Sequence, residues 1–165
     1  HMRILHHQMA FDIDLNLDPD WCNWFVGWAD GEGCFQARPH KSDRAITCEF
    51  CVKVRDDDSQ LVCGVLDILQ CGVINRRHFT PEQSENSGRK DQIEWRCNDF
   101  GASRHILIPL FDKYPLRSKK NRDYKIWREI IMLVSEQQHL NGNRAYVLDL
   151  CQQLKDMKKY APPVL

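Results

Sequence analysis

The sequence predicts an α+β fold: an αββαββα unit with an antiparallel sheet, followed by additional C-terminal helices. Strand signals come first. Residues Cys34–His40 and Ala45–Arg55 alternate apolar and polar side chains, and a short turn at Lys41–Arg44 joins them. Helical signals lie on either side. Ser59–Leu69 and Lys119 to about Gln138 place apolar residues three and four apart, the spacing of a helix laid on a core. The third observation is punctuation: Asp18-Pro19-Asp20 opens an aromatic segment that Gly31 and Gly33 close.

Taken in order, Asp18 supplies a capping acceptor, Pro19 fits a first turn, and Asp20 suits the positive end of a helix carrying Trp21, Trp24, Phe25 and Trp28. The two strands follow. Asp56–Asp58 begins a second helix through Ser59–Leu69, with Leu61, Val65, Leu66 and Leu69 on one face and Gly72 ending it. Val73–Phe79 reads as a third strand, Thr80–Asp91 as a polar loop, and Gln92–Cys97 as a fourth strand. A short helix fits Phe100–Tyr114, where Pro109 must sit at the end or bend it. The longer helix from Lys119 bears Tyr124, Trp127, Ile130, Ile131 and Val134; Asn141-Gly142-Asn143 breaks it, and a last helix runs from about Arg144 to Lys158. The unit is not repeated within the chain. Residues 1–17 read as an N-terminal tail and 18–165 as a single domain.

Composition is that of an ordinary globular protein: 165 residues, 42% apolar and 28% charged. No apolar run is long enough for a transmembrane helix, and His1–Met9 lacks the features of a secretion signal. An intracellular, reducing compartment is the expectation. The net charge is zero, which argues mildly against a nucleic-acid binder. Charge is unevenly spread, however, with acids at Asp12–Asp20 and Asp56–Asp58 and bases at Arg76–Arg77, Arg89–Lys90 and Arg117–Arg122. The eight cysteines show no framework spacing. Cys48 and Cys51 form a CxxC on a strand, where residues three apart point to opposite faces and cannot share a metal, so free thiols are expected.

The segment Trp24-Phe25-Val26-Gly27-Trp28-Ala29-Asp30-Gly31-Glu32-Gly33-Cys34-Phe35 carries the chemistry. Gly27 and Gly31 are four apart on one helix face, with Asn23 a turn earlier, and glycines there let two helix backbones approach closely. A mid-helix glycine costs about 1 kcal/mol of helix propensity, which a close helix–helix contact would offset. Asp30 and Glu32 fall where the helix ends and the strand begins. Acids are poorly placed beside the negative end of a helix dipole, and Mg2+, which takes one or two carboxylates with waters and phosphate oxygens, would neutralise both.

This segment closely resembles the signature of the LAGLIDADG homing endonuclease family. Further matches lie in Phe50–Asp58, Cys71-Gly72-Val73-Ile74, Tyr114-Pro115-Leu116-Arg117-Ser118-Lys119-Lys120, and Asp123-Tyr124 through Trp127, so the resemblance runs from about Pro19 to Lys158. It implies an αββαββα module acting as a homodimer on double-stranded DNA, with Mg2+ as cofactor and Mn2+ as a substitute. By position, Glu32 is implied as the metal ligand, assisted by the Gly31 carbonyl. A lysine of the basic segment is implied near the scissile phosphate, with Lys119 the first choice and Lys120 the second. Many relatives place a polar residue, often glutamine, at the end of the second strand. Here Val54 stands there, a departure that leaves Lys53 or Arg55 to take over.

Strand alternation gives a candidate DNA-reading face. Thr47, Glu49, Cys51, Lys53 and Arg55 share one face of the second strand. Gln36, Arg38 and His40 are their counterparts on the first, Asn75 and Arg77 on the third, and some of Gln92, Glu94 and Arg96 on the fourth. Arginine, glutamine and asparagine suit base edges in the major groove, which admits a β-ribbon. Asn23, Gly27 and Gly31 are the expected dimer interface. Two other roles remain compatible with the sequence: an RNA-binding intron maturase, and a DNA-binding regulator that does not cut.

Overall fold

The structure, a computed structural model, describes residues 16–40 and 45–159. The expected tail through residue 15 and the turn at 41–44 lie outside the described residues. Helix α1, Pro19–Glu32, begins as its sequence dictates: the Asp18 side chain accepts from the Asp20 amide at 2.9 Å and Pro19 opens the first turn. It leads into strand β1 (Gly33–Pro39), which pairs antiparallel with β2 (Ile46–Arg55). A 3-10 turn at Asp56–Asp58 leads into α2, Ser59–Leu69. That helix stops earlier than Gly72, at Gln70, whose φ of 52° breaks it. Gly72 serves a different purpose. At φ +85°, a Cβ there would stand 2.6 Å from Nε1 of Trp95, and that indole is held by the Cys71 carbonyl at 2.9 Å.

Strand β3 covers Val73–Arg77, and β4 covers Gln92–Cys97. The sheet order is β1-β2-β4-β3, antiparallel throughout. The expected polar loop between β3 and β4 contains helix α3, Pro81–Ser87. A reciprocal capping box between Thr80 and Gln83 opens it, with proline in its first turn. The expected single helix over 100–114 is built in three parts: α4 (Phe100–Ala102), a π-helical turn (Ser103–Leu107) and α5 (Ile108–Lys113). Pro109 lies just after the widened turn, which accommodates its missing amide without ending the helix. Helices α6 (Lys120–Ser135) and α7 (Arg144–Asp156) complete the chain.

The helices cover one face of the sheet, α2 over β2, β3 and β4, and α6 over β1 and β2, while α7 flanks the β1 edge. Between them lies a dense aromatic core. Phe35 and Phe50 sit 4.6 Å apart by ring centroid, Phe35 meets Trp127 at 5.3 Å, and Phe25 packs on Phe111 at 6.1 Å. Each such side chain, fully withdrawn from water, stabilises the fold by about 1.5–3 kcal/mol. The opposite sheet face carries no helix of this chain among the described residues, and that uncovered face meets the C-terminal end of α1 at the start of β1.

Candidate functional site

The corner at the end of α1 is built around a tight turn from helix to strand. The Gly33 amide donates to the Ala29 carbonyl. A Cβ on Gly33 would stand 2.5 Å from that oxygen and 2.9 Å from the Phe50 ring, so only glycine lets the chain turn here. Two acids flank the turn and face different ways. Asp30 turns inward and anchors the basic segment: it accepts from the Arg117 amide at 2.7 Å, the Ser118 hydroxyl at 2.7 Å and the Ser118 amide at 3.1 Å. Burial alone would raise its carboxyl, but these hydrogen bonds and the Lys120 charge together hold it below the usual carboxylate value. Glu32 is exposed at the last turn of the helix.

Anchoring Arg117 and Ser118 decides which lysine reaches the corner. Lys119 caps α6 with its side chain exposed. Lys120, the first residue of α6, reaches back so that Nζ donates to the carbonyl oxygens of Gly31 and, at 3.4 Å, Ala29. The structure therefore places the second-choice lysine at the corner, not the first. Desolvation lowers the Lys120 ammonium below lysine's usual value, against the raising effects of Glu32, Cys34, Asp30 and Asp123. The expectation that Mg2+ would neutralise Asp30 along with Glu32 needs correction: the Asp30 carboxylate is engaged by Arg117 and Ser118, partners 87 and 88 residues away that nothing local announces.

This corner gathers the donor set of a hard cation. The Glu32 carboxylate and the Gly31 carbonyl are oxygen donors at the negative end of a helix, and an ammonium already sits on that carbonyl. Mg2+ is bound through few protein oxygens, with waters and phosphate oxygens filling the rest of its shell, so the residues present fit it. Among the described residues, no group of three or more His, Cys, Asp or Glu could hold a metal by itself.

On the uncovered face, register places the expected residues together. Gln36 faces Glu49, Arg38 faces Thr47, Glu94 lies between Lys53 and Asn75, and Gln92 lies between Arg55 and Arg77. Arg38, His40, Lys53, Arg55, Asn75 and Arg77 are exposed, while Gln36, Thr47 and Arg96 are half-buried. Two expectations of direct groove contact need correction. Glu49, only 3% exposed, lies beneath Arg38 and Arg96, and Cys51 is buried against Cys34, its register partner. Strand alternation fixes a side chain's face but not its depth, and long cations from neighbouring strands cover both. The Cys34 thiol is pulled down first by its hydrogen bond with Cys51, while Lys158 reaches Cys34 at 3.5 Å.

All eight cysteines are unbridged, and Cys48 points into the core, opposite to Cys51. Val54, at the usually polar position, is half-buried against the core opposite Ile93. Neither expected substitute stands idle: Lys53 binds Glu94 at 3.0 Å, and Arg55 pairs with Asp57.

Along α1, nothing beyond the helix's own nearby backbone lies within 4 Å of where a Cβ on Gly27 or Gly31 would stand. Asn23 is exposed, its amide donating to the Pro19 carbonyl at 2.9 Å. A groove of about 560 Å³ runs beside this face, lined by Asn23, Val26, Gly27 and Asp30 and by Lys113–Arg117 residues on its far side. No helix among the described residues is long and apolar enough to cross a membrane.

Comparison with known proteins bears on the family and the fold. The LAGLIDADG endonuclease family model matches residues 25–131. A protein in ND4 intron 1 of Podospora anserina, of 50.9 kDa and uncharacterised, is 29% identical over 132 residues, covering 75% of this chain and 26% of that protein. Among solved structures, the LAGLIDADG homing endonuclease I-GzeII in complex with its DNA target superposes with a TM-score of 0.72 at 21% identity, over 87% of this chain and 47% of that one. The homing endonuclease I-TnaI superposes with a TM-score of 0.67 at 26% identity, over 86% of this chain and 95% of that one. The chain spans between 22% and 40% of the length of four curated relatives that it matches.

Proposed function

The chain belongs to the LAGLIDADG endonuclease family, and on that footing we propose that it is one half of a sequence-specific double-stranded DNA endonuclease that cuts a long pseudopalindromic site with a divalent metal. The observation that carries the reading is the α1 corner: an exposed Glu32, the Gly31 carbonyl, and a Lys120 ammonium anchored beside them through Asp30 and the Arg117–Ser118 amides.

Glu32 and the Gly31 carbonyl would hold Mg2+, with Mn2+ as a substitute. Bound there, the ion would supply Lewis-acid chemistry, favouring hydroxide at neutral pH and stabilising charge on the leaving oxygen. Lys120 supplies a fixed positive charge for the phosphate as negative charge develops on it, and the low dielectric of the half-buried corner strengthens that effect. Lys119, exposed at the cap of the same helix, is left to contact the DNA backbone. The sheet face supplies recognition, with Gln36, Arg38, His40, Lys53, Arg55, Asn75 and Arg77 offered to the major groove.

One corner serves one strand, so a double-strand break needs two. The open face of α1, with Asn23, Gly27 and Gly31 beside its groove, fits a second α1 packed closely against it. A two-fold homodimer built this way reads a target of matching symmetry.

The test is to incubate the purified protein with a randomised duplex library in Mg2+ and, separately, in Ca2+, and to sequence the cut and bound pools. Double-strand cuts at one near-palindromic sequence in Mg2+ alone are expected. Enrichment without cutting would instead make the protein a DNA-binding regulator. Absence of enrichment on DNA together with binding to intron RNA would make it a maturase.

A further inference from the structure

Two carboxylates sit where a DNA-facing surface should least want them. Glu49 is 3% exposed and Glu94 6% exposed, yet both belong to the uncovered face of the sheet, not the core. Three cations hold them there. Arg96 donates to Glu94 through Nε at 2.7 Å and through a terminal nitrogen at 2.6 Å, and to Glu49 through its other terminal nitrogen at 3.0 Å. Arg38 reaches the remaining Glu49 oxygen at 2.9 Å, and Lys53 the remaining Glu94 oxygen at 3.0 Å. All four carboxylate oxygens thus have a cationic partner, and the cluster spans β1, β2 and β4.

The three cations are not equivalent. Arg96 is 29% exposed and has all three nitrogens committed to buried acid. Reading a guanine with a guanidinium needs two parallel N–H groups aimed outward, and Arg96 could supply them only by abandoning a buried carboxylate. Arg38 and Lys53 are 60% and 52% exposed and touch the acids through one nitrogen each, so the rest of each head group is turned to solvent. Two acids against three cations also leave the patch with net positive charge, as a surface approaching phosphate requires.

From this arrangement we infer that Glu49 and Glu94 are positioning residues for base recognition: they fix Arg38 and Lys53 as readers, and Arg96 is the clasp joining the two acids rather than a reader itself. The inference rests on the DNA-reading role proposed above. The acids contribute by restricting two long, rotamer-rich side chains before DNA arrives, so that less freedom is lost on binding the correct base and a wrong base cannot be met by a rearranged head group.

The test is a set of base-preference profiles, taken by sequencing the duplex pool bound in Ca2+, together with the thermal midpoint of each variant. Arg38→Ala is expected to flatten preference at one base pair per half-site by about tenfold, the loss of one good side-chain contact to a base. Glu49→Gln and Glu49→Asp should flatten that same base pair. Arg96→Gln should flatten the positions read by Arg38 and Lys53 and no position of its own. If the glutamine variant at Glu49 does not fold, Glu49→Asp, which keeps the charge and shortens the reach, decides by the same profile. A lowered midpoint with an unchanged profile in the Glu49 variants would make the acids merely structural and overturn the inference. So would a base pair lost in Arg96→Gln and in no other variant. A wild-type protein that enriches no sequence would overturn the DNA reading itself, and this inference with it.

Discussion

Adjacent residues on β2 show how differently the two faces of the sheet are held. Phe50 and Glu49 are both almost completely withdrawn from water, but Phe50 lies among rings and Glu49 lies among guanidinium groups. On the Phe50 side, stability comes from removing apolar area from water and scales with volume lost. On the Glu49 side, a charge is tolerated in a dry place only because cations meet it, and the result depends on which partners are present. The difference separates two tasks. One face keeps the sheet rigid, and the other stores charge in a fixed pattern that the rigid sheet can present.

Breaking the apolar side should have the largest effect. Phe50→Ala should cost about 3–5 kcal/mol in chemical denaturation, with little dependence on salt. The proposed catalytic corner comes next. Lys120→Met is expected to slow single-turnover cutting by about 10²–10³-fold, the usual loss for one group stabilising developing charge. Lys119→Met should leave the cutting step nearly unchanged and act chiefly on the salt dependence of binding. The alkaline limb of the wild-type rate should fall below lysine's usual 10.5, because desolvation lowers Lys120, and Lys120→Met should remove that limb.

Smaller effects sharpen the link between the two regions. Gly33→Ala forces a methyl group against the Ala29 carbonyl and the Phe50 ring and should cost about 1–3 kcal/mol, read in the same denaturation experiment. Asp30→Asn should cost about 1 kcal/mol at neutral pH, the net worth of its hydrogen bonds. The folded Asp30 carboxyl ionises below its usual 3.8, so its contribution is complete above that value and is lost as the pH falls through the lower folded value. The wild type and Asp30→Asn should therefore converge in stability in acid and separate above about pH 4. Equal separation across the whole range would assign Asp30 no ionisation-linked role.

Local chemistry made much of this legible. The Asp18 cap, the Pro19 start and the glycine turn place α1 and the corner correctly, because each acts on its immediate neighbours. Alternation placed β1, β2 and β4 and the faces of their side chains. Helix α3 was hidden because a proline followed by six polar residues carries no apolar period, although Thr80-Pro81-Glu82-Gln83 held the capping signal. The choice between Lys119 and Lys120 was beyond local reasoning. Consecutive residues at a helix start point about 100° apart, and the phase of α6 is set by Asp30 gripping Arg117 and Ser118 from the far end of the chain. The depth of Glu49 was hidden for the same reason, since Arg96 lies 47 residues away.

In the division of labour proposed for this chain, the sheet recognises and the α1 corner cuts. The most direct test is Glu32→Gln on the selected target, with binding measured in Ca2+ and double-strand cutting in Mg2+. Binding with unchanged base preference and no detectable cutting is expected. Cutting that survives the substitution would contradict the metal-holding role of Glu32, and binding lost together with the fold would contradict it by making Glu32 a structural residue.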